Sequence, residues 1–479
     1  MWRIIQPIGL NKTYLKLLIL FSFLFFLCLL LSFPDFYGDS LDPDIPCYVE
    51  PWNQIHTKKV PNEGLHWEWV QQNISRRDNI LESEVRLLSA FVYEEYISIT
   101  TTSQKSYGQL THCRYFDCNR EEIKDSVYQS FFFPMNVVKC PRRVGAKYVS
   151  ISSSKYAKPQ QSIPLIFRAY PSPMHGISVC VGPLYGPEKK WLEIAEFIEH
   201  YKLIGVRHFY FTIFNMNEYT RKIMDEYIRT GEVELTVIQS EYANVDWQFH
   251  LLQINECHQR AKYHSKWVIN ADIDERLVML NGTLQDLIRR QDQSISEINF
   301  AVQRVMKTDL LPEVYENDEQ ILREMIFTKY NISADVVWKA AKCMYRPEKT
   351  ASMYYHWSYI KYPGYNAAWI GRNQGYFLHY RTTSATGIGS GWLDHANYKN
   401  FQERPNPITF ANELRENVLR KIKYVYDRRI LYCEELPDAV YQEYIVYGHE
   451  TFHCKFKSEV ENEQRKKLEL ENSTMISRK

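Results

Sequence analysis

From Gly176 onward, short apolar runs alternate with amphipathic segments. Ile177 to Val181 is an apolar run that breaks at Gly182-Pro183-Leu184-Tyr185-Gly186. Across Lys189 to Ile204, the residues Ile194, Ala195, Ile198 and Tyr201 share one face at helical spacing, and Gly205 ends the segment. Val206 to Phe214 predicts a strand, Glu218 to Arg229 a helix closed by Gly231, and Val233 to Ile238 a strand. Trp247 to Tyr263 then predicts a helix and Lys266 to Ala271 another strand. Three strand–helix units closed by a fourth strand predict an α/β fold with a mainly parallel central sheet flanked by helices. Ligands of such sheets sit beyond the carboxyl ends of the strands.

The fourth strand ends in Asp272-Ile273-Asp274-Glu275, three carboxylates in four residues. Residues two apart in a strand share a face, so Asp272 and Asp274 start with one orientation. A bend there would carry Asp274 over the sheet end and leave Asp272 at its edge. Close carboxylates repel one another and attract a hard divalent cation, Mn²⁺, Mg²⁺ or Ca²⁺, which could in turn hold a diphosphate. A bare D-x-D is more often a solvated strand end or a helix cap, and its place at the end of a parallel strand is what favours the metal. An EF-hand loop is excluded, because its sixth position would be Leu277 and its twelfth Thr283.

Before Gly176 the pattern differs. Leu17 to Phe33 carries no charge, with Arg3, Lys12 and Lys16 before it and Asp35, Asp39, Asp42 and Asp44 after it. This predicts one transmembrane signal anchor over 17–33, a cytosolic tail over 1–16 and a luminal remainder. Ser32-Phe33-Pro34 is a poor cleavage site, which argues against a removed signal peptide. Residues 34–79 read as a Pro- and Asp-rich stem. Residues 80–173 read as a β-rich accessory region, with apolar or aromatic runs at Val85 to Phe91, Tyr96 to Thr102, Tyr128 to Phe133 and Tyr148 to Ser152. The α/β body spans 174–430, and residues 431–479 are helix and charged tail, with helix expected beyond about Tyr424.

Composition adds compartment and little else. A formal charge of +1 gives no case for nucleic acid. Nine cysteines lie outside the apolar segment, so at least one is unpaired or pairs between chains, and Cys47 in the stem suggests a homodimer. Cys113, Cys118 and Cys140 are candidates to tie the β-rich region. Asn73, Asn281, Asn331 and Asn472 head N-glycosylation sequons. No phosphate-binding P-loop and no nucleophile elbow occurs; Gly387-Ile-Gly-Ser-Gly391 reads as a flexible loop or lid.

These residues carry a resemblance. Cys180-Val-Gly-Pro-Leu-Tyr185, Glu196-Phe-Ile-Glu-His-Tyr201, Gly205-Val206, Phe209-Tyr-Phe211 and Trp267 to Leu277 resemble glycosyltransferase family 92, above all its nematode branch. Lys342-Cys343, Arg346-Pro347, His356 and His379-Tyr380-Arg381 match later segments in order, so the resemblance covers roughly 175–430. It implies a GT-A-like, Golgi-resident, single-pass type II enzyme using a nucleotide sugar with a divalent metal, usually Mn²⁺. By analogy with characterised members it would be an inverting β-1,4-galactosyltransferase taking UDP-galactose to a glycan or glycoprotein acceptor, such as the fucose of an N-glycan core. Asp272, Asp274 and His379 would hold the metal, and Asp272, Lys342 and Arg381 would serve the donor diphosphate. Inversion needs a carboxylate base. Asp394, in Trp392-Leu-Asp-His395, is the candidate, and Glu275 is the alternative. A non-catalytic luminal glycan-binding protein with a transferase-like fold is the rival reading, and a membrane-anchored adhesion protein a third.

Overall fold

A computed structural model describes residues 47–61, 85–238, 247–382 and 400–428, less a few isolated positions, with scattered residues between 432 and 466. Leu17 to Phe33, Asn73, Asn472, Gly387 to Gly391 and Asp394 lie outside the described residues. Among the described residues no helix is long and apolar enough to cross a membrane.

The N-terminal part is a seven-stranded sheet. Its strands are β1 (Leu87–Val92), β2 (Tyr96–Thr101), β3 (Leu110–Phe116), β4 (Tyr128–Phe131), β5 (Val137–Pro141), β6 (Tyr148–Ser152) and β7 (Ile163–Phe167), in the spatial order β4-β3-β6-β7-β1-β2-β5. The β-rich expectation thus holds, and Cys113–Cys140 is one of its disulfides. Cys118 and Cys47 are also disulfide-bonded, so Cys47 carries no thiol for the intermolecular pairing expected of it. The free cysteine among the described residues is Cys343, buried, with burial pushing its thiol well above the ordinary range.

The larger sheet begins with the four predicted strands: β8 (His175–Val181), β9 (His208–Ile213), β10 (Val233–Val237) and β11 (Ser265–Ala271). They lie parallel in the order β10-β9-β8-β11. Helices cover both faces. Ile177, Val179 and Val181 pack with Phe209, Phe211, Trp267 and Ile269 beneath α1 (Trp191–Leu203) and α2 (Glu218–Arg229). On the other face Cys180, Tyr210 and Val268 meet Ile254 and Cys257 of α3 (Trp247–Ala261), and Cys180–Cys257 is a disulfide. Burial on both faces explains why these strands read as unbroken apolar runs.

Past β11 the expectation of a mainly parallel sheet fails. Only Asp272, Ile273 and Asp274 separate β11 from β12 (Glu275–Met279), far too few for the crossover that a parallel return requires. The later strands are β13 (Ile295–Lys307), β14 (Ile332–Ser333), β15 (Val337–Tyr345), the hairpin β16 (Thr350–Met353) and β17 (Ser358–Lys361), then β18 (Asn366–Trp369), β19 (Gly375–Thr382) and β20 (Gln402–Glu403). β15 joins β11 and β13 antiparallel, β12 pairs antiparallel with β19, and β19 returns parallel to β13. The result is a mixed eleven-stranded sheet. Short helices α4 (Leu284–Arg289), α5 (Asp318–Glu324) and α6 (Ile326–Lys329) fill its connections, and α7 (Ala411–Lys423) packs on α1. Helix α7 starts well before Tyr424, and described residues between 457 and 466 are helical too, within the segment expected to be helix and charged tail. Two sequons fall on described residues: Asn281 and Asn331 are both exposed.

α1 is buried nearly all round, which its stripe did not announce. Glu196 is enclosed but accepts the N–H groups of Ile326 and Phe327 at 2.9 and 2.6 Å, satisfying the start of α6. His200 is enclosed too, with Nε2 2.8 Å from the Leu277 carbonyl of β12. Burial first, then the nearby Arg276 guanidinium, pushes its imidazole down to about 3. A neutral His200 therefore favours the fold fully above its ordinary pKa of about 6.5, and that contribution is lost as pH falls toward 3. Denaturant titrations from pH 7 down to 4.5 should show wild-type stability dropping more steeply than that of His200→Gln; parallel slopes would contradict the assignment.

Candidate active site

In the order β10-β9-β8-β11 the chain winds one way from β8 and the other way to β11, so the crevice at a switch point opens between their carboxyl ends. Gly182 follows β8 and Asp272 follows β11. Gly182 N–H donates to Ala271 O at 3.0 Å, and a Cβ on Gly182 would stand 2.2 Å from Asp272 Oδ1. The glycine is what lets the carboxylate lie against the neighbouring strand end.

Asp272 to Glu275 form a tight turn pinned by backbone hydrogen bonds. Glu275 N–H donates to Asp272 O at 3.0 Å, and Asp272 N–H donates to Glu275 Oε2 at 2.9 Å. Buried Arg276 donates to Ile273 O at 2.5 Å, Tyr380 N–H to Asp274 O at 2.9 Å, and Tyr201 Oη to Glu275 O at 3.2 Å. The bend thus points Asp272 and Asp274 in fixed, different directions.

Lys342 of β15 lies at the centre. Its buried ammonium is 2.9 Å from Asp272 Oδ2 and 3.0 Å from Glu275 Oε2. Asp272 Oδ1 stands 3.5 Å from His250 Nε2. Burial alone would raise the Asp272 carboxyl, but Lys342 and then His250 hold it well below the carboxylate range. Glu275 goes the other way: burial, reinforced by Asp272 and Asp274, lifts it to about 7 against the pull of Lys342. Burial lowers His356 to about 4, with Lys342 adding to the effect.

The pairing of β12 with β19 sets Glu275 opposite His379, and that of β13 with β19 sets Arg304 opposite His379 as well. His379 Nε2 is 3.2 Å from Asp274 Oδ2, and its Nδ1 is 2.9 Å from Glu275 Oε1 and in contact with the Arg304 guanidinium. Arg381, two residues on, reaches 3.9 Å from Asp274 Oδ2. Asp274 keeps 21% of its side chain exposed, whereas that of Glu275 is fully enclosed.

Asp272, Asp274, Glu275, Lys342, His379 and Arg381, scattered over more than 100 residues of sequence, therefore meet in one place. A carboxylate oxygen beside an imidazole nitrogen, on the open side of the turn, is a donor set that suits a divalent cation: Asp274 and His379 fit the metal role. Asp272 is committed through Oδ2 to Lys342, which makes it a less available ligand than the sequence suggested. Glu275 has no exposed atom to offer an acceptor hydroxyl, and its geometry suits orienting His379. Arg304, His250 and Gly182 were missed. Arg304 had a signal, a charge inside the apolar run Phe300 to Val305; His250 had none beyond its helix.

A family model for glycosyltransferase family 92 matches residues 175–430. No curated protein matches the chain. Among solved structures it is similar to S. aureus TarS 1–349, at 13% identity over 53% of this chain and 73% of that one, with a TM-score of 0.25. It is similar to the galactosyltransferase LgtC, solved with donor and acceptor sugar analogues, at 11% identity over 50% and 95%, TM-score 0.24. It is also similar to the mannosyltransferase PcManGT from Pyrobaculum calidifontis, solved with GDP-Man and Mn²⁺, at 11% identity over 58% and 76%, TM-score 0.24.

Removing Lys342 alone strands two carboxylates, one of them wholly buried. Lys342→Met should therefore lower unfolding free energy by about 3 kcal/mol or more in denaturant titration; a loss under about 1 kcal/mol would mean that the pair is not holding the turn.

Proposed function

Since the chain belongs to glycosyltransferase family 92, we propose that it is a GT-A-type, metal-dependent, inverting hexosyltransferase that takes galactose from UDP-galactose to a glycan such as the fucose of an N-glycan core. We place it in the Golgi membrane, as a single-pass type II protein anchored through residues 17–33. The disulfides Cys113–Cys140 and Cys180–Cys257 and the exposed sequon residues Asn281 and Asn331 support a luminal body.

The observation that carries the reading is the charge balance at the turn. Asp272 and Asp274, with Glu275 lifted to about 7, already stand among Lys342, Arg304 and Arg381. A nucleotide diphosphate would bring further negative charge, so its binding calls for a cation beside Asp274 and His379. A divalent metal bound there would supply positive charge to the departing diphosphate.

The chain's own groups do the rest. Lys342 keeps Asp272 ionised and fixes the turn, and Glu275 braces His379. Arg381, at the open edge, is set to orient phosphate oxygens. The acceptor hydroxyl bonds to the anomeric carbon from the face opposite the nucleotide, the bond to the diphosphate breaks, and a carboxylate takes the hydroxyl proton; Asp394 is our candidate for it. Exposed Trp357 and Tyr359, just past His356 in the chain, offer apolar faces to an acceptor sugar.

The test is nucleotide release from a panel of nucleotide sugars with Mn²⁺, with fucosylated and galactosylated acceptors present. Release from UDP-galactose should vanish with EDTA and in Asp274→Ala, and Gly182→Ala, whose methyl displaces Asp272, should lose roughly a hundredfold in turnover. Folded protein that binds glycans but neither nucleotide sugar nor Mn²⁺ would instead be a glycan-binding module.

A further inference from the structure

The opposite end of the parallel strands gathers a second set of ligating side chains. His175 opens β8, His208 opens β9, and His264 immediately precedes β11. Because β9 and β11 flank β8, the sheet itself brings the three together, and one ligating nitrogen from each lies within 4.8 Å of the others. The rings of His175 and His208 stack at 4.1 Å, and His264 stands edge-on to His175 at 4.7 Å. From the start of β10, Glu234 turns Oε1 toward them, 3.3 Å from His208 Nε2 and 3.6 Å from His264 Nδ1.

We propose that His175, His208 and His264, with Glu234 as fourth donor, form a binding site for a divalent transition metal of the zinc class, separate from the acidic turn. Seven residues of β11 at about 3.3 Å each put the two sites roughly 20 Å apart, and the proposal does not rest on glycosyl transfer.

The observation that points to a ligand is His208. It is 4% exposed; its Nδ1 has no hydrogen-bond partner, and its Nε2 has only the Glu234 carboxylate, 3.3 Å away. Buried polar atoms are nearly always partnered, and a buried imidazole whose Nδ1 is unpartnered, amid two other imidazoles and a carboxylate, is what a metal would satisfy. Tetrahedral zinc, at about 2.0 Å from each nitrogen, needs them roughly 3.3 Å apart, a contraction that side-chain rotation can supply.

The surrounding charge allows it. Glu234 Oε2 is 2.5 Å from Arg168 and 3.4 Å from Arg260, and Arg260 is paired with Glu256 at 2.9 Å. Two guanidiniums thus face two carboxylates, and neutral imidazoles add nothing. Tyr210 Oη restrains His264 Nδ1 at 2.7 Å. Arg168 follows β7 of the smaller sheet, so a metal here would clamp four strand starts beside the junction of the two sheets.

The test uses the full-length Asp274→Ala chain, so that the acidic turn is disabled, purified from a secretory host and stripped with chelator. Co²⁺ should bind at about one equivalent with a visible d–d band of tetrahedral N/O type, and Zn²⁺ should displace it. His208→Gln and His264→Gln, with circular dichroism unchanged, should each weaken binding at least about tenfold. Absence of the band in folded protein, or a band unchanged in both folded variants, would overturn the proposal. If both variants unfold, Zn²⁺ protection of His175 against diethyl pyrocarbonate, read by mass spectrometry, decides: protection supports the site and unchanged labelling refutes it.

Discussion

The buried ammonium of Lys342 is the interaction on which the site depends. Three carboxylates in four residues would drive a strand end apart in a low-dielectric crevice, and the solution here is a cation delivered from a different strand. The register of β15 against β11 makes that delivery geometric, since Ile269 faces Met344 and the pairing carries Lys342 level with the end of β11. The antiparallel insertion of β15 into an otherwise parallel run is thus what sets Lys342 against the turn.

From that pairing follows a division of labour among similar groups. Asp272 is held ionised, Glu275 is lifted to about 7, and Asp274 faces outward. All three have the same chemistry in sequence. Their environments separate them: an ion pair for the first, enclosure for the second, an imidazole and solvent for the third. His379 is shared between the latter two, which couples the inner carboxylate to the outer one through a single ring.

The first half of the larger sheet was legible because its signals are local. Helix α2 was read to the residue, and β8 through β11 to within about two positions, from period, glycine stops and runs of apolar residues. In the second half the runs under β13 and β15 carry local signals too, but β12 and β18 are defined by partners far away in sequence. The same limit applies to the site. Asp272 and Asp274 stood out through their place at a predicted strand end, and His379 and Lys342 through resemblance. Gly182 could not be seen to touch Asp272, because no sequence period links one strand end to its neighbour. Burial was the hardest property to read: Glu196 and His200 sit on what looked like the polar side of α1, and a wall from α6, α7 and β12 encloses them.

Helix α3 has a consequence for how this chain is made. It is shared between the two sheets: Glu256 accepts from Ser89 Oγ at 3.0 Å across 167 residues of sequence, and the Gln259 carbonyl accepts from Tyr93 Oη at 2.6 Å. Synthesis runs from the N-terminus, so β1 and β2 emerge long before the helix that covers them. The inward face of the first sheet therefore waits, uncovered, while more than 150 further residues are translated. A ribosome-bound intermediate with that face open is a natural client for chaperones, and truncations that end before α3 would leave it exposed for good.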